Sequence, residues 1–377
     1  MNEALRFSAT TYSLGAGMFF ISYAIFEVPS NVILARVGAR VWIARIMISW
    51  GIVSSAMMIV QGPVSFYALR FLLGAAEAGF FPGIIFYLTR WFPARERART
   101  IAAFMTAVLV AGIVGSPISG ALLSLGGGGL AGWQWLFLLE GIPSIVLGFV
   151  VLRVLADGPQ EAAWLTVAER AALVSWLEED GRAAPAGAGT VIEALTSGRI
   201  WWLAAVYFTI PVALYGIGFF LPQIVKTASR GSNFQVGLLS AIPYAAGALA
   251  MVFAGRHSDR TGERRKHVAC AALVCAAGLL AAARVSGPGA SVLALSLAMA
   301  GLASMMGPFW AFATATTSGA GAAAAIAMIN AIGNTGGFAG PYLLGAVNDA
   351  THSFAAGLTI IAGIVVAGGL LILPIRE

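Results

Sequence analysis

Eleven apolar runs, each about the 20 residues needed to cross a bilayer as a helix, divide almost the whole of this sequence. They lie near residues 12–34, 41–60, 66–89, 100–125, 134–155, 200–222, 235–254, 268–284, 291–313, 322–346 and 354–375. Few folds tolerate such a pattern. Charged residues make up 10% of the 377-residue chain and hydrophobic residues 59%. A soluble domain carries about 25% charge, so this chain has too little polar surface to coat a globule. It reads as an all-α integral membrane protein. The 46 glycines fit that class, because small residues let membrane helices pack closely.

Lys and Arg fall in alternate loops. One set holds Arg36, Arg40, Arg90, Arg95, Arg97, Arg99, the segment 156–199, the cluster Arg256 to Lys266, and Arg376. The other holds only Arg6, Lys226, Arg230 and Arg284. The positive-inside rule places the richer set, and with it the C-terminus, in the cytoplasm. An odd number of spans then puts the N-terminus outside. Segment 156–199 is the one long polar interruption and contains seven of the 16 acidic residues. Thr166 and Glu169 have capping-box spacing, which predicts a short surface helix near 167–179. The segment then turns Gly/Ala/Pro-rich like a linker. Three parts follow: a bundle over 1–155, a cytoplasmic loop over 156–199, and a bundle over 200–377, with five and six spans.

NVILARVGAR (31–40) and GRHSDRTGER (255–264) repeat at an offset of 224 residues, matching Arg36 with Arg260, Gly38 with Gly262 and Arg40 with Arg264. Two related halves enclosing a site are one plan for a secondary transporter. In the second half a span at 200–222 precedes the motif-bearing helix. The first half offers no counterpart, so a family-type first helix is expected to be missing, most simply through a truncated start.

Longer stretches carry a resemblance. GRHSDRTGERR (255–265), FEVPSNVILARVGAR (26–40), RFLLGAAEAGFFPGIIFYLTRWFPARERAR (70–99), WLFLLEGIPS (135–144), WLTVAER (164–170) and INAIGNTGGFAGPYLLG (329–345) together resemble the major facilitator superfamily. Within it they are similar to the anion:cation symporter branch that includes bacterial tartrate, phthalate and 4-hydroxyphenylacetate permeases. The resemblance implies a major facilitator fold of two pseudo-repeated bundles, here with 11 transmembrane helices, and uptake of a small organic carboxylate by proton symport with alternating access. It implies a bacterial inner-membrane location. No enzyme activity is implied, and no cofactor beyond the proton as coupling ion. The partners implied are the anion and the lipid bilayer, with no nucleic acid and a monomeric state. Two features depart from the family pattern. Ala35 stands where the first-half loop usually has an acidic residue, whereas the second half keeps Asp259. The family's Asp-Arg pair belongs to the first helix and has no counterpart here.

Charges inside apolar runs are the candidate site. Arg70 and Glu77 are seven residues apart, nearly two helical turns, so both project from one face about 10 Å apart along the axis. A charge at mid-membrane costs about 2.5–3.5 kcal/mol on insertion scales, so a retained one usually faces water or a partner. Arg70 offers a planar fork of donors for a carboxylate. Glu77 is placed to load and release a proton. Snorkelling of Arg70 and helix pairing of Glu77 are the structural alternatives. Tyr23 resembles a substrate-contacting tyrosine of related carboxylate carriers, with packing or interface anchoring as the structural alternative. Asn330 and Asn334, at i and i+4, either hold substrate oxygens or join helices. Trp310 either walls the cavity or packs. Glu27 and Glu140 read as structural or gating charges. Asp259, Arg260, Gly262, Arg264 and Arg265, with Arg36, Gly38 and Arg40, read as gate elements that bridge helix ends in one conformation; the basic ones also set topology.

No HExxH, P-loop or Ser-His-Asp pattern appears, and Cys270 and Cys275 sit in one apolar run without metal or disulfide spacing. A membrane enzyme and an ATP-driven pump are therefore disfavoured. An anion exchanger and a truncated, non-transporting remnant stand as alternatives to the symporter.

Overall fold

A computed structural model describes residues 2–92, 94–183, 196–315 and 321–375. Arg376 and the Gly/Ala/Pro-rich part of the central segment lie outside these residues. No strand longer than the isolated Gly127–Leu130 bridge occurs among them. The helices are α1 Asn2–Leu5, α2 Ala9–Val37, α3 Ala39–Ala56, α4 Pro63–Glu77, α5 Phe80–Thr89, α6 Ala94–Leu123, α7 Gly132–Val154, α8 Val167–Ala183, α9 Gly198–Ser229, α10 Asn233–Thr261, α11 Arg265–Ala282, α12 Pro288–Ala315, α13 Gly321–Asn334, α14 Gly336–Thr351 and α15 Phe354–Leu371.

Among the described residues nine helices are long and apolar enough to cross a membrane. The two remaining expected spans, 66–89 and 322–346, are present as broken helices. The first divides into α4 and α5 and the second into α13 and α14, each piece at most 16 residues long. In the first break Gly79 adopts a left-handed φ of 86°, a conformation that costs any residue with a Cβ. Several unbroken helices contain an internal proline, for example Pro29, Pro143, Pro243 and Pro308. Membrane helices tolerate these where neighbouring groups satisfy the freed carbonyl.

The repeat extends far beyond the loop motif. Shifting by 224 residues carries α2 onto α10, α3 onto α11, the α4–α5 pair onto α12, α6 onto the α13–α14 pair, and α7 onto α15, within about four residues at each end except that α15 stops short of the shifted end of α7. Packing repeats as well: α3 lies against α7, and α11 against both α12 and α15. Gly51 and Gly141 face one another across α3 and α7 so closely that a Cβ on either would strike the other helix's backbone.

Two compact units emerge from the contacts. One comprises Met1–Gly17, Thr106–Gly126 and Ala186–Glu377; the other comprises Met18–Met105 and Gly127–Pro185. In the former, α9 and α12 are the most enclosed helices, with Leu203, Ile217, Phe220, Leu302 and Phe309 fully buried. In the latter, α7 keeps only 11% of its span buried. Its outer face presents Val146, Leu147, Phe149 and Val150, an apolar surface suited to acyl chains.

The predicted surface helix is present as α8. Glu169 Oε2 accepts from Thr166 N at 2.9 Å and Thr166 Oγ1 at 2.7 Å, while Glu169 N donates to Thr166 Oγ1 at 3.3 Å. Both halves of the capping box are made. Trp164, just before it, stacks on Trp91 at 5.5 Å and 11°.

Candidate functional site

Within the second unit, α4 carries Arg70 and Glu77, both half-buried. Gly74 lies between them against the backbone of Phe19 on α2, where a Cβ would overlap the Phe19 carbonyl. This close crossing brings the Arg70 guanidinium 5.5 Å from the centre of the Phe19 ring. Tyr23, one turn along α2, sets its ring 5.9 Å from the same Phe19 at 32°. Phe19 thus joins two residues singled out from sequence. Arg70 is also the charge that acts on the Glu77 carboxyl.

Glu77 ends α4, beside the break. Ser30 Oγ on α2 donates to the Ala78 carbonyl at 2.6 Å, and Trp42 Nε1 on α3 donates to Ser30 Oγ at 2.8 Å. Arg45 lies over the Trp42 ring at 4.0 Å, with Nη1 3.5 Å from the Ala76 carbonyl. The break therefore has hydrogen-bonding support from two helices, which fixes the height of Glu77. Glu27 is buried on α2, and Glu140 is exposed on α7.

Within the first unit, Trp310 on α12 meets Tyr207 on α9 edge to face, 4.8 Å apart at 63°. Tyr207 stacks on Phe309 at 5.2 Å and 15°. Gly333 on α13 rests directly on the Tyr207 ring, leaving no room for a Cβ. Asn330 and Asn334 flank that glycine, the first buried and the second half-buried. Three helices thus bring Trp310 and Gly333 against Tyr207.

The two loop motifs resolve differently. In the second repeat, Gly262 caps α10 with a φ of 68°. Arg264 Nη1 pairs with Asp259 Oδ1 at 2.6 Å and donates to Ser258 Oγ at 3.0 Å. Arg265 Nη1 donates to the carbonyls of Leu373 and Ile375 at 3.2 and 3.0 Å, tying α11 to the chain after α15. Arg260, in the last turn of α10, is exposed. In the first repeat, Gly38 has a φ of 97° before α3, and Arg40 N donates to Asp157 Oδ1 at 2.8 Å. Asp157 follows α7, so an acidic group from a distant segment stands at the motif that has Ala35. Arg36 is exposed. The side chains of Arg95, Arg97 and Arg99 lie outside the described residues.

Sequence reasoning passed over Arg45, Phe19, Tyr207 and Asp157. Arg45 carried the same signal as Arg70, an arginine in an apolar run, but stands five residues after Arg40 at the edge of a basic loop. Phe19 and Tyr207 carried none, since an aromatic in a membrane helix looks like packing.

Residues 1–341 and 203–377 match the model of the Major Facilitator Superfamily. A putative tartrate transporter of Agrobacterium vitis is 49% identical, covering 100% of this chain and 87% of that relative. The putative metabolite transport protein NicT of Pseudomonas putida is 38% identical over 100% of this chain and 86% of its own length. Among solved structures, an inward-facing, occupied bacterial homolog of the human lysosomal transporter Spinster has a TM-score of 0.79 at 15% identity, covering 99% of this chain and 90% of that one. The xylose transporter XylE of E. coli, in a partially occluded inward-open conformation, has a TM-score of 0.76 at 15% identity, covering 98% and 88%. With its helical repeat, its apolar spans and these relatives, the chain belongs to the Major Facilitator Superfamily and is a multi-pass membrane protein of that transporter fold.

Proposed function

We propose that this protein takes up a small organic carboxylate by proton symport with alternating access across a bacterial inner membrane, with the central loop and C-terminus in the cytoplasm. The observation that carries this reading is the placement of Arg70 and Glu77 on one helix, with Arg70 held over Phe19 beside Tyr23. Arg70 receives the carboxylate through its donor fork, and Tyr23 adds a hydroxyl. A proton on Glu77 offsets the negative charge that the anion brings. Neutralising both groups together lowers the electrostatic cost of moving the loaded site through a low-dielectric interior. Asn330 and Asn334 supply amides for substrate hydroxyl or second carboxylate oxygens, and Trp310 packs against the ligand.

Asp259, Arg264 and Arg265, with Gly262 and Arg260, work as the cytoplasmic latch of the second repeat. Arg36, Gly38 and Arg40 do so in the first, with Asp157. The protein acts as a monomer and needs no bound cofactor. Relatives named as putative tartrate transporters support a hydroxydicarboxylate as the first substrate to try.

The test is uptake of labelled carboxylates by cells producing the full chain, beginning with tartrate and followed by competition with hexonates and aromatic acids. Saturable uptake of at least one carboxylate, stimulated by an inward proton gradient and reduced at least tenfold by Arg70→Ala, is expected. Uptake indifferent to Arg70→Ala, or restricted to uncharged solutes, contradicts the reading.

A further inference from the structure

Two histidines meet where the second loop motif turns, and the mechanism above uses neither. His257, near the end of α10, and His267, in the first turn of α11, set Nδ1 and Nε2 2.7 Å apart, with ring centres 5.0 Å apart. Their bond spans the same turn as the Gly262 cap and the Asp259–Arg264 pair. It therefore ties together the two helices that carry the latch.

A bond between two imidazoles needs one hydrogen between the facing nitrogens, so one ring donates and the other accepts. His267 Nδ1 is buried and finds no acceptor among the described residues, and a hydrogen placed there is left unmet. That selects one neutral arrangement. His267 carries its hydrogen on Nε2 and donates to His257 Nδ1, while the exposed His257 keeps its own hydrogen on Nε2. An added proton has no good place. On His257 Nδ1 it faces the Nε2 hydrogen of His267, unless His267 moves that hydrogen to its buried Nδ1. A second added proton breaks the bond outright.

The neighbours do not welcome the extra charge. Arg256, Asp259 and Arg260 share α10 with His257, and Glu263, Arg264, Arg265 and Lys266 form the turn and the start of α11. Both carboxylates already pair with cations, Asp259 with Arg264 at 2.6 Å and Glu263 with Lys266 at 3.5 Å. Cys270 lies one turn beyond His267 and is exposed. The helices α12 and α15 that pack on α11 hold no ionisable side chain within their ranges. On α9, Arg199 adds a further cation at the end where Trp202 Nε1 donates to Leu371 O.

We propose that the His257–His267 bond is a pH-sensitive tie on the cytoplasmic latch, closed in a neutral cytoplasm and opened by acid. Histidine is the side chain whose charge ordinarily changes between about pH 5 and 8. Given the proton symport proposed above, each turnover delivers a proton to the cytoplasm, and opening the tie slows uptake as acid accumulates.

Amide exchange in the purified full chain reads the tie without transport, so a negative result there leaves proton symport standing. The reporters are the amides of Gly262 and Val268, which bond Ser258 O and Arg264 O at the two helix ends. After correction for intrinsic rates, wild-type protection is expected to fall about fivefold between about pH 7.5 and about pH 5.5, the worth of one neutral hydrogen bond. His257→Ala shows the lower protection at both values, and His267→Asn serves if His257→Ala fails to fold. Equal wild-type protection at the two values overturns the proposal, as does a histidine variant that keeps the difference. In proteoliposomes with the gradient held equal, acidifying the interior should slow wild-type uptake at least twofold and leave His257→Ala unslowed. Equal slowing of both overturns the regulatory role.

Discussion

Arg70 and Glu77 are expected to differ in what their conservative substitutions do. Arg70→Lys retains the charge but loses the planar fork and much of the contact with Phe19. One charge-assisted hydrogen bond contributes about 1.5–3 kcal/mol, so the KM for the carboxylate should rise by about tenfold or more with little change in maximal rate. Phe19→Ala removes the ring beneath Arg70 and should weaken substrate binding by a few-fold, following the roughly 0.5–2 kcal/mol of such contacts. Direct binding of labelled substrate measures both. Arg70 and Glu77 stood out as candidates in the sequence because a charge inside an apolar run needs a reason, and Tyr23 only through its resemblance to a family position. Phe19 was not, because a ring that orients a guanidinium and a ring that fills space have the same sequence. Arg45 was concealed by its neighbourhood: next to a basic loop, an arginine within the span passes for one outside it.

At the scale of the element, the α4–α5 break decides where Glu77 stands. Gly79 takes its left-handed turn against Ser30. Gly79→Ala adds about 1–2 kcal/mol of backbone strain and a steric clash with Ser30. Ser30→Ala leaves the Ala78 carbonyl and Trp42 Nε1 without their shared partner, at about 1–3 kcal/mol. Each should lower the thermal unfolding midpoint of the purified protein and reduce uptake, since Glu77 loses its fixed height. Asp157→Ala should uncap α3 at Arg40 N and cost about 1 kcal/mol, with a smaller fall in the same midpoint. The spans were readable from hydropathy, and the α8 capping box from its spacing. The breaks were not: with 46 glycines in the chain, only a packing partner such as Ser30 distinguishes the one that turns a helix.

At the scale of the whole molecule, the 224-residue offset of one short loop motif extended to five pairs of helical elements. That extension was legible because a repeated fold repeats its turns and spans in order. The grouping of contacts was less so: Met1–Gly17 and Thr106–Gly126 belong with the later part of the chain. Asp349 shows one link within that unit. Its carboxylate accepts from Ala9 N at 2.9 Å and Thr10 N at 2.7 Å, capping α2 from the end of α14. Burial by itself would raise the affinity of Asp349 for a proton, but hydrogen bonds from Thr10, Ala9 and Ser8 outweigh it and hold the carboxyl below its usual range. A depressed carboxyl stabilises the fold above its unfolded value of about 3.9, and that contribution is lost as pH falls through the lower folded value. The cap should therefore hold at neutral pH and fail in strong acid. Asp349→Asn should show the acid behaviour already at neutral pH, as faster hydrogen exchange at the Ala9 and Thr10 amides.

The claim that Glu77 couples the proton to the anion reduces to one comparison. Purified wild-type protein and Glu77→Gln are reconstituted into proteoliposomes, and labelled substrate is followed with and without an inward proton gradient. Wild type should accumulate substrate only with the gradient. Glu77→Gln should fail to accumulate it, yet still exchange external for internal substrate at equal concentrations. Gradient-driven accumulation by Glu77→Gln at the wild-type level would contradict the account.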